Sequence, residues 1–158
     1  LKAWPDPGAM QILPIGDANN PSFLVNGFAA NDPMSTINIW ERVKQLSYPT
    51  EQPVVIMNTR SDRVDRTEQF IQQVLPKIQA ETLVVMGDNT SLIVKAYKRG
   101  EFPVRNLLDL ESASTDEIVR VLQPFLSGKT IYGVGNIHGG ADELVTRLEQ
   151  MKITKETA

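Results

Sequence analysis

Four short, mainly apolar runs, separated by segments with helical spacing, constrain the fold of this chain more than any other feature. The runs are residues 22–28, 53–58, 82–87 and 130–136. A strand that is apolar along most of its length needs cover on both faces, which is typical of parallel sheets whose crossover connections are helices. The pattern therefore predicts an α/β fold with a mostly parallel sheet and helices on both faces.

Weaker patterns complete the expected order of elements. Two further strands are expected at 10–15 and 104–110. Helical spacing predicts helices at 33–46, 66–79, 89–100, 114–126 and 141–151. The fourth of these opens with a Ser-x-x-Glu capping pattern at Ser114 and Glu117. We therefore expect a single Rossmann-like domain, preceded by an irregular lead-in at 1–9 and followed by a charged tail at 152–158.

Composition excludes several classes of function. The formal net charge of −3 argues against a nucleic-acid surface, because such a surface requires clustered Lys and Arg. The chain has no cysteine and a single histidine, His138, so no metal site is expected. No apolar run approaches the roughly 20 residues that cross a bilayer, so we expect a soluble chain. Its irregular start at Leu1 indicates a piece of a longer protein.

The stretch FAANDPMST joins a predicted strand to a predicted helix. Asp32 is expected to cap the helix, and Pro33 suits the first helical position because its missing N–H has no partner there. Capping leaves Asn26 and Asn31 unexplained. Both lie near the carboxyl end of the same strand, which is where open α/β sheets bind ligands.

Arginines cluster in NTRSDRVDR, directly after the second apolar run. Arg60, Arg63 and Arg66 fall within seven residues, and guanidinium forks bind carboxylate or phosphate bidentately. The alternative is a solvated loop in which Asp62 and Asp65 neutralise the arginines and Asp65 also caps the next helix. The position of the loop at the carboxyl end of a strand favours a ligand site.

Two glycine-containing stretches invite a phosphate-binding interpretation. GVGNIHGG, residues 133–140, lies between a strand and a helix, as an anion site would, but its spacing is not that of a dinucleotide loop. A turn chosen for positive φ and close packing explains it equally well. SGKT, residues 127–130, has Gln123 where a phosphate loop needs its first glycine, and a strand follows it. We therefore expect the chain alone to bind ATP weakly or not at all.

With these loops placed, the chain resembles the C-terminal domain of the Mur ligase superfamily, most closely the ligase subunit of bacterial poly-gamma-glutamate synthases, which make a capsule polymer. The similar segments are NGFAANDPMSTINIW, NTRSDRVDRTEQF, VVMGDNT and GVGNIHGG. They are spread over most of the 158 residues.

The resemblance implies an ATP-dependent ligase that polymerises glutamate through an acyl phosphate, which the amine of an amino acid attacks. ATP and Mg²⁺ would be held mainly by a central domain that lies upstream of this chain. The present domain would position the incoming glutamate or polymer and close over ATP, and alone it would be inactive. The other implied partners are membrane-associated synthase subunits on the cytoplasmic side of the membrane. Binding of nucleic acid is not expected.

These arguments assign substrate contacts to seven residues: Asn58, Arg60, Arg63, Arg66, Gly135, Asn136 and His138. Arg66 is alternatively a helix-surface charge. Asn31 or Asp32 is implied to face the nucleotide, and the Asn-Asp-Pro order, unlike the His-Asn-Pro of relatives, leaves open which of them does so. No catalytic residue is identified.

We expect the loops at 29–32, 58–65 and 135–140 to share a cleft at one sheet edge. NTRSDR does not reproduce the Asp-Asn-Pro-Arg of the diaminopimelate-adding Mur ligase, so glutamate is assigned through the poly-gamma-glutamate similarity. A non-catalytic α/β binding or scaffolding domain that docks a partner protein is the competing hypothesis.

Overall fold

Six strands form one sheet in the computed structural model, which describes residues 11–30 and 32–154. The strands are β1 (Ile12–Ile15), β2 (Ser22–Asn26), β3 (Val54–Thr59), β4 (Thr82–Gly87), β5 (Asn106–Glu111) and β6 (Thr130–Gly135). Their order across the sheet is β1-β2-β6-β3-β4-β5. Only β1 pairs antiparallel, with β2, and the four other neighbouring pairs are parallel. The mostly parallel sheet is thus confirmed.

Helical segments alternate with the parallel strands. They are α1 (Pro33–Gln45), α2 (Val64–Gln69), α3 (Leu75–Ile78), α4 (Ser91–Lys98), α5 (Thr115–Leu122) and α6 (Ala141–Glu149). The π-helical segment Phe70–Val74 joins α2 to α3, and a 3₁₀ turn, Gln123–Phe125, follows α5. All five predicted helices are present, with ends that differ by a few residues. The lead-in at 1–9, residue 10 of the first predicted strand, Asn31 and residues 155–158 lie outside the described residues.

The sheet carries a hydrophobic core on each face. Alternate residues of β3 point to opposite cores, Val55 and Met57 to one, Val54 and Ile56 to the other. The first core is closed by apolar side chains of α1, the α2–α3 region and α4, namely Trp40, Val43, Phe70, Val74, Ile78, Ile93 and Ala96. The second is closed by α5 and α6, through Ile118, Leu122, Leu144, Val145 and Leu148. Cover on both faces explains why the central strands are almost continuously apolar.

The helix predicted at 66–79 runs without a break, but its hydrogen-bond pattern changes from α-helical to π-helical and back. The N–H of Leu75 donates to the carbonyl of Phe70, five residues earlier, which makes a wider π turn directly before Pro76. A proline inside a helix removes a donor and crowds the carbonyl four residues before it, so a local change of winding at this point is expected. The segment ends at Ile78, because Gln79 adopts a left-handed conformation (φ 57°).

The carboxyl ends of β6, β3 and β4 approach one another closely. Gly87 and Gly135 flank the end of β3 with φ of 89° and 93°. A Cβ on Gly87 would lie 2.3 Å from the carbonyl oxygen of Thr59, and one on Gly135 would lie 2.5 Å from that of Asn58. Both positions therefore require glycine. The loop after β3 consequently starts from a tightly held strand end. Among the described residues, no helix has both the length and the apolar character needed to cross a bilayer.

Candidate functional site

A small cleft lies at the carboxyl end of β3, where two of the predicted loops meet. Its wall contains six of the residues assigned to substrate contact: Asn58, Arg60, Arg63, Arg66, Gly135 and Asn136. The seventh, His138, is exposed and does not line the cleft. The cavity volume, about 10 Å³, corresponds to roughly one water molecule. The cleft by itself does not enclose an amino acid.

Arg60 and Asp62 form a bidentate ion pair within the loop. The Nε of Arg60 donates to Oδ1 of Asp62 at 3.0 Å, and its Nη2 donates to Oδ2 at 2.7 Å. The side chain of Asp62 is largely exposed. This pairing agrees with the solvated-loop alternative for Arg60. Because an exposed ion pair contributes only about 0–1 kcal/mol, another carboxylate can replace Asp62 at little cost.

Arg63 begins the helix that follows the loop. It occupies the position before α2, where its carbonyl accepts hydrogen bonds from the N–H and the hydroxyl of Thr67, and its side chain is exposed. The expectation that Asp65 caps this helix is wrong, because Asp65 already lies inside the first turn and no side chain caps α2. The guanidinium of Arg63 thus borders the cleft from the solvent side.

Asp32 caps α1 as predicted, with Pro33 in the first helical position. Its Oδ1 accepts a hydrogen bond from the N–H of Ser35 at 2.9 Å. Hydrogen bonds from Ser35 lower the pKa of Asp32 below its usual value, and the charge of Arg66 lowers it further. The charge of Arg66 thus acts on Asp32, but none of the described residues of the 29–32 loop lines the cleft. Arg66 is half-buried, and whether it contacts substrate or is a helix-surface charge stays a prediction.

Asn26 does not point to a ligand in the described structure. Its side-chain oxygen accepts a hydrogen bond from the N–H of Phe28 at 3.3 Å, so it shapes the turn after β2. Asn31, the other asparagine of this turn, lies outside the described residues. The assignment of a nucleotide-facing residue to Asn31 or Asp32 therefore stays a prediction.

Asn58 is the most buried polar side chain of the cleft, with 1 % exposure. Its Nδ2 donates to the carbonyl of Asn136 at 2.7 Å and to that of His138 at 2.6 Å. The N–H of Asn136 in turn donates to the carbonyl of Asn58 at 3.2 Å. The side-chain oxygen of Asn136 accepts from the N–H of His138. The loop after β6 is thus fastened to the end of β3.

The N-terminus of α6 does not favour an anion. Its N-cap residue is Gly140 (φ 114°), and its first turn carries Asp142 and Glu143. These two carboxylates already complement the positive end of the helix dipole and would repel a phosphate. Of the two interpretations of GVGNIHGG, the glycine-rich turn fits this geometry better.

The described residues do not fit a magnesium–nucleotide site of their own. SGKT lies at the amino end of β6, at the sheet edge opposite the cleft, and leads into a strand. Within 11–30 and 32–154, no group of three or more His, Asp or Glu side chains is placed to hold a metal ion.

Sequence reasoning missed the apolar and hydroxyl part of the cleft wall. Thr67 and Phe70 line the cleft together with Met57 and Thr59, and all four are buried. The available signal was spacing, because Thr67 follows Arg63 by four residues and so lies on the same helical face. The cleft thus places three arginine residues beside an apolar floor, and guanidinium groups bind carboxylates bidentately.

Comparison with known proteins gives a family match and close relatives. Residues 12–151 match the family described as poly-gamma-glutamate synthase CapB C-terminal domain. The chain is 53 % identical over 153 residues to "PGA synthase CapB" of Bacillus subtilis (strain 168), an alignment that covers 97 % of this chain and 39 % of the relative. It is 49 % identical over 158 residues to "Capsule biosynthesis protein CapB" of Bacillus anthracis, covering 100 % of this chain and 34 % of the relative. The chain thus spans little more than a third of these relatives.

A solved structure, the murein peptide ligase mpl of Psychrobacter arcticus 273-4, has a similar fold. The TM-score is 0.55 at 16 % sequence identity, and the similarity covers 90 % of this chain and 30 % of that chain. At this level of identity the likeness concerns the fold alone. It confirms the α/β architecture expected from the Mur ligase resemblance.

Proposed function

The chain belongs to the poly-gamma-glutamate synthase CapB C-terminal domain family, and on that premise we propose that it is the C-terminal domain of an ATP-dependent ligase that joins glutamate into poly-gamma-glutamate. A central domain of the same protein would hold most of the ATP and Mg²⁺; transfer of the γ-phosphoryl group to a carboxylate would release ADP and give an acyl phosphate, from which the attacking amine would displace phosphate. The present domain positions the glutamate or polymer whose amine attacks. The observation that carries this proposal is the cleft with three arginines at the carboxyl edge of the sheet.

The arginines of the cleft suit the carboxylates of glutamate. Arg63 is exposed at the rim, and Arg60 presents a planar fork that already binds one carboxylate, that of Asp62. In the proposed complex a glutamate carboxylate takes the place of Asp62, while Arg66 stays near Asp32. Holding the amine in line with the acyl carbon lowers the barrier to amide-bond formation by several kcal/mol. With ideal alignment the effect is on the order of 7–11 kcal/mol.

Closure of this domain on the central domain would complete the cleft. The cleft is too small to enclose an amino acid, so a second wall is needed. Two large apolar side chains are exposed at the same edge, Met34 (65 %) in the first turn of α1 and Val64 (40 %) in the first turn of α2. Both helices follow strands that run in the same direction, so their first turns lie at one edge. We place the contact with the central domain there.

The proposed cellular setting follows from the same family. The relatives are named for PGA synthesis and capsule biosynthesis. We propose that the full-length protein works on the cytoplasmic side of the membrane with membrane-associated synthase subunits. The competing proposal is a scaffolding domain without a catalytic role, whose arginine loop docks a partner protein; the Arg60–Asp62 pair agrees with a solvated loop and does not choose between the two proposals. Upstream sequence with a phosphate loop would decide against it.

Arginine-to-lysine replacement in the full-length protein tests the proposal. Arg60→Lys and Arg63→Lys keep the charge but remove the planar fork, so each should reduce glutamate ligation about tenfold or more and leave stability nearly unchanged. The control is Arg120→Lys, on the exposed face of α5, which should have no effect. If both cleft variants ligate glutamate at the unmodified rate, the amino-acid site lies elsewhere.

A further inference from the structure

In the side-chain amide of Asn58 the nitrogen donates two hydrogen bonds, whereas the oxygen accepts none among the described residues. Its Nδ2 makes two short hydrogen bonds, at 2.7 and 2.6 Å, to carbonyls of the loop after β6. Its Oδ1 is buried and has no hydrogen-bond partner among the described residues. The reverse orientation of the amide would set its oxygen against two carbonyl oxygens, so this orientation is the required one.

A buried oxygen without a partner is unfavourable, by about 1–3 kcal/mol. Asn58 is nevertheless fully buried in β3, a strand whose four preceding residues are all apolar. The contribution of the Asn58 side chain to the structure is the two hydrogen bonds that its Nδ2 donates. Both of them join β3 to a loop that is 78 and 80 residues away in the chain.

Backbone bonds and packing hold part of this loop: the N–H of Asn136 donates to the carbonyl of Asn58, the N–H of Asp142 donates to that of Ile137, and Ile137 packs against the second core. The sheet ladder ends at Gly135, and beyond it Gly139 (φ 75°) and Gly140 (φ 114°) have backbone conformations that ordinary residues rarely adopt. A Cβ on Gly139 would meet nothing within 4 Å, which shows that packing does not restrain the loop at that point. At residues 136 and 138 the side-chain bonds of Asn58 add to these contacts and, with the Asn136–His138 bond, tie the loop to the end of β3.

We propose that Asn58 is a positioning residue: its amide fixes the 136–138 loop on the end of β3 and so sets the cleft wall that faces the arginines. Asn58 acts on the substrate through Gly135 and Asn136, which line the cleft, rather than through its own buried amide. The inference rests on the proposed function for its effect on ligation, but the fastening of the loop is a separate claim.

The experiment uses the full-length protein with Asn58→Asp and Asn58→Ser. Asp has nearly the shape of Asn, but its carboxylate oxygen would replace Nδ2, could not donate to the carbonyls of Asn136 and His138, and would be repelled by them. Ser can still donate one hydrogen bond. The matched control is Asn20→Asp, the same chemical change at the opposite sheet edge, where Nδ2 donates to the hydroxyl of Ser127. Hydrogen exchange is followed for peptides covering 136–143 and 54–57, and kcat and KM are measured for glutamate and for ATP.

We expect the amides of 136–143 to exchange about tenfold faster or more in Asn58→Asp, because about 1.4 kcal/mol of hydrogen bonding is lost, while 54–57 stays protected. The KM for glutamate should rise about fivefold or more, which corresponds to a loss of roughly 1 kcal/mol in the binding of the acceptor glutamate. The KM for ATP should stay unchanged. Asn58→Ser should fall between Asn58→Asp and the unmodified protein, and Asn20→Asp should match the latter.

Unchanged exchange at 136–143 in both Asn58 variants would overturn the inference, whatever the activity. Faster exchange with unchanged kinetics for glutamate would also overturn it, because the loop would then not shape the site. If the unmodified protein does not ligate glutamate at all, the proposed function fails, yet the exchange data still decide whether Asn58 holds the loop.

Discussion

Arg60 and Arg63 stand three residues apart but face different surroundings. The fork of Arg60 is engaged by Asp62, and the side chain of Arg63 is exposed at the rim. An aspartate that occupies an arginine fork has the same chemistry as a substrate carboxylate, so Asp62 competes with glutamate in the proposed site. A local competitor of this kind keeps the fork oriented when no substrate is bound.

Removal of this competitor should improve acceptor binding. Asp62→Asn abolishes the charge of the pair, and because an exposed ion pair contributes about 0–1 kcal/mol, the KM for glutamate should fall by up to about fivefold. Steady-state kinetics of the full-length protein give the measurement, with Asp65→Asn in the first turn of α2 as the control. A higher KM in Asp62→Asn would show instead that Asp62 only holds Arg60 in place.

At the scale of single elements, α1 depends on its cap. Asp32→Ala removes the acceptor for the N–H of Ser35 and should lower the free energy of unfolding by about 1 kcal/mol, whereas Asp32→Asn keeps an acceptor and should cost less. Urea unfolding of the chain measures both changes. Equal losses in the two variants would mean that the charge of Asp32, near Arg66, matters more than its cap.

The cap should also make stability depend on pH. The pKa of Asp32 is lowered in the folded chain, chiefly by the hydrogen bonds from Ser35, so the folded state binds a proton less readily than the unfolded chain. The contribution of the carboxylate is therefore complete above the ordinary value of 3.8 and is lost as the pH falls through the lower folded pKa. The stability difference between the unmodified chain and Asp32→Ala should accordingly shrink below that pH.

Most elements were predictable because their signals are local. The apolar runs, the Asp32-Pro33 start of α1 and the Ser114–Glu117 capping box all depend on residues within a few positions. The Asp65 cap failed for a local reason too, since α2 begins two residues earlier than its pattern suggested. By contrast, the burial of Asn58 depends on the pairing of β3 with β6, which no local pattern contains.

The cleft shows the same division between local and long-range information. The three arginines were found because they lie close together in the chain and follow a strand. Their common wall with Gly135 and Asn136 follows from the sheet order, in which β6 lies next to β3. Which arginine is paired could not be read from the sequence, because Asp62 and Asp65 are both within reach of the cluster.

At the scale of the whole molecule, the chain covers 39 % and 34 % of the length of the two curated relatives. The arginines of its cleft are the carboxylate-binding groups of the proposed enzyme. In the proposed enzyme the other ligands come from the central domain, so activity depends on how the two domains meet. Met34 and Val64 are the exposed apolar side chains at the edge where we place that contact.

The double variant Met34→Ser, Val64→Ser tests this contact in the full-length protein. Both side chains are exposed in the chain described here, so their loss should change its stability by less than about 0.5 kcal/mol. If they are buried on closure, each contributes on the order of 1 kcal/mol, and kcat/KM should fall roughly thirtyfold for glutamate and ATP alike. An equal loss for both substrates distinguishes a closure defect from the effect of Arg60→Lys, which should change the kinetics for glutamate alone.

Leu46→Ser is the matched control, because this exposed leucine follows the last turn of α1, at the opposite sheet edge. An equal loss in Leu46→Ser, or full activity in the double variant, would place the domain contact elsewhere.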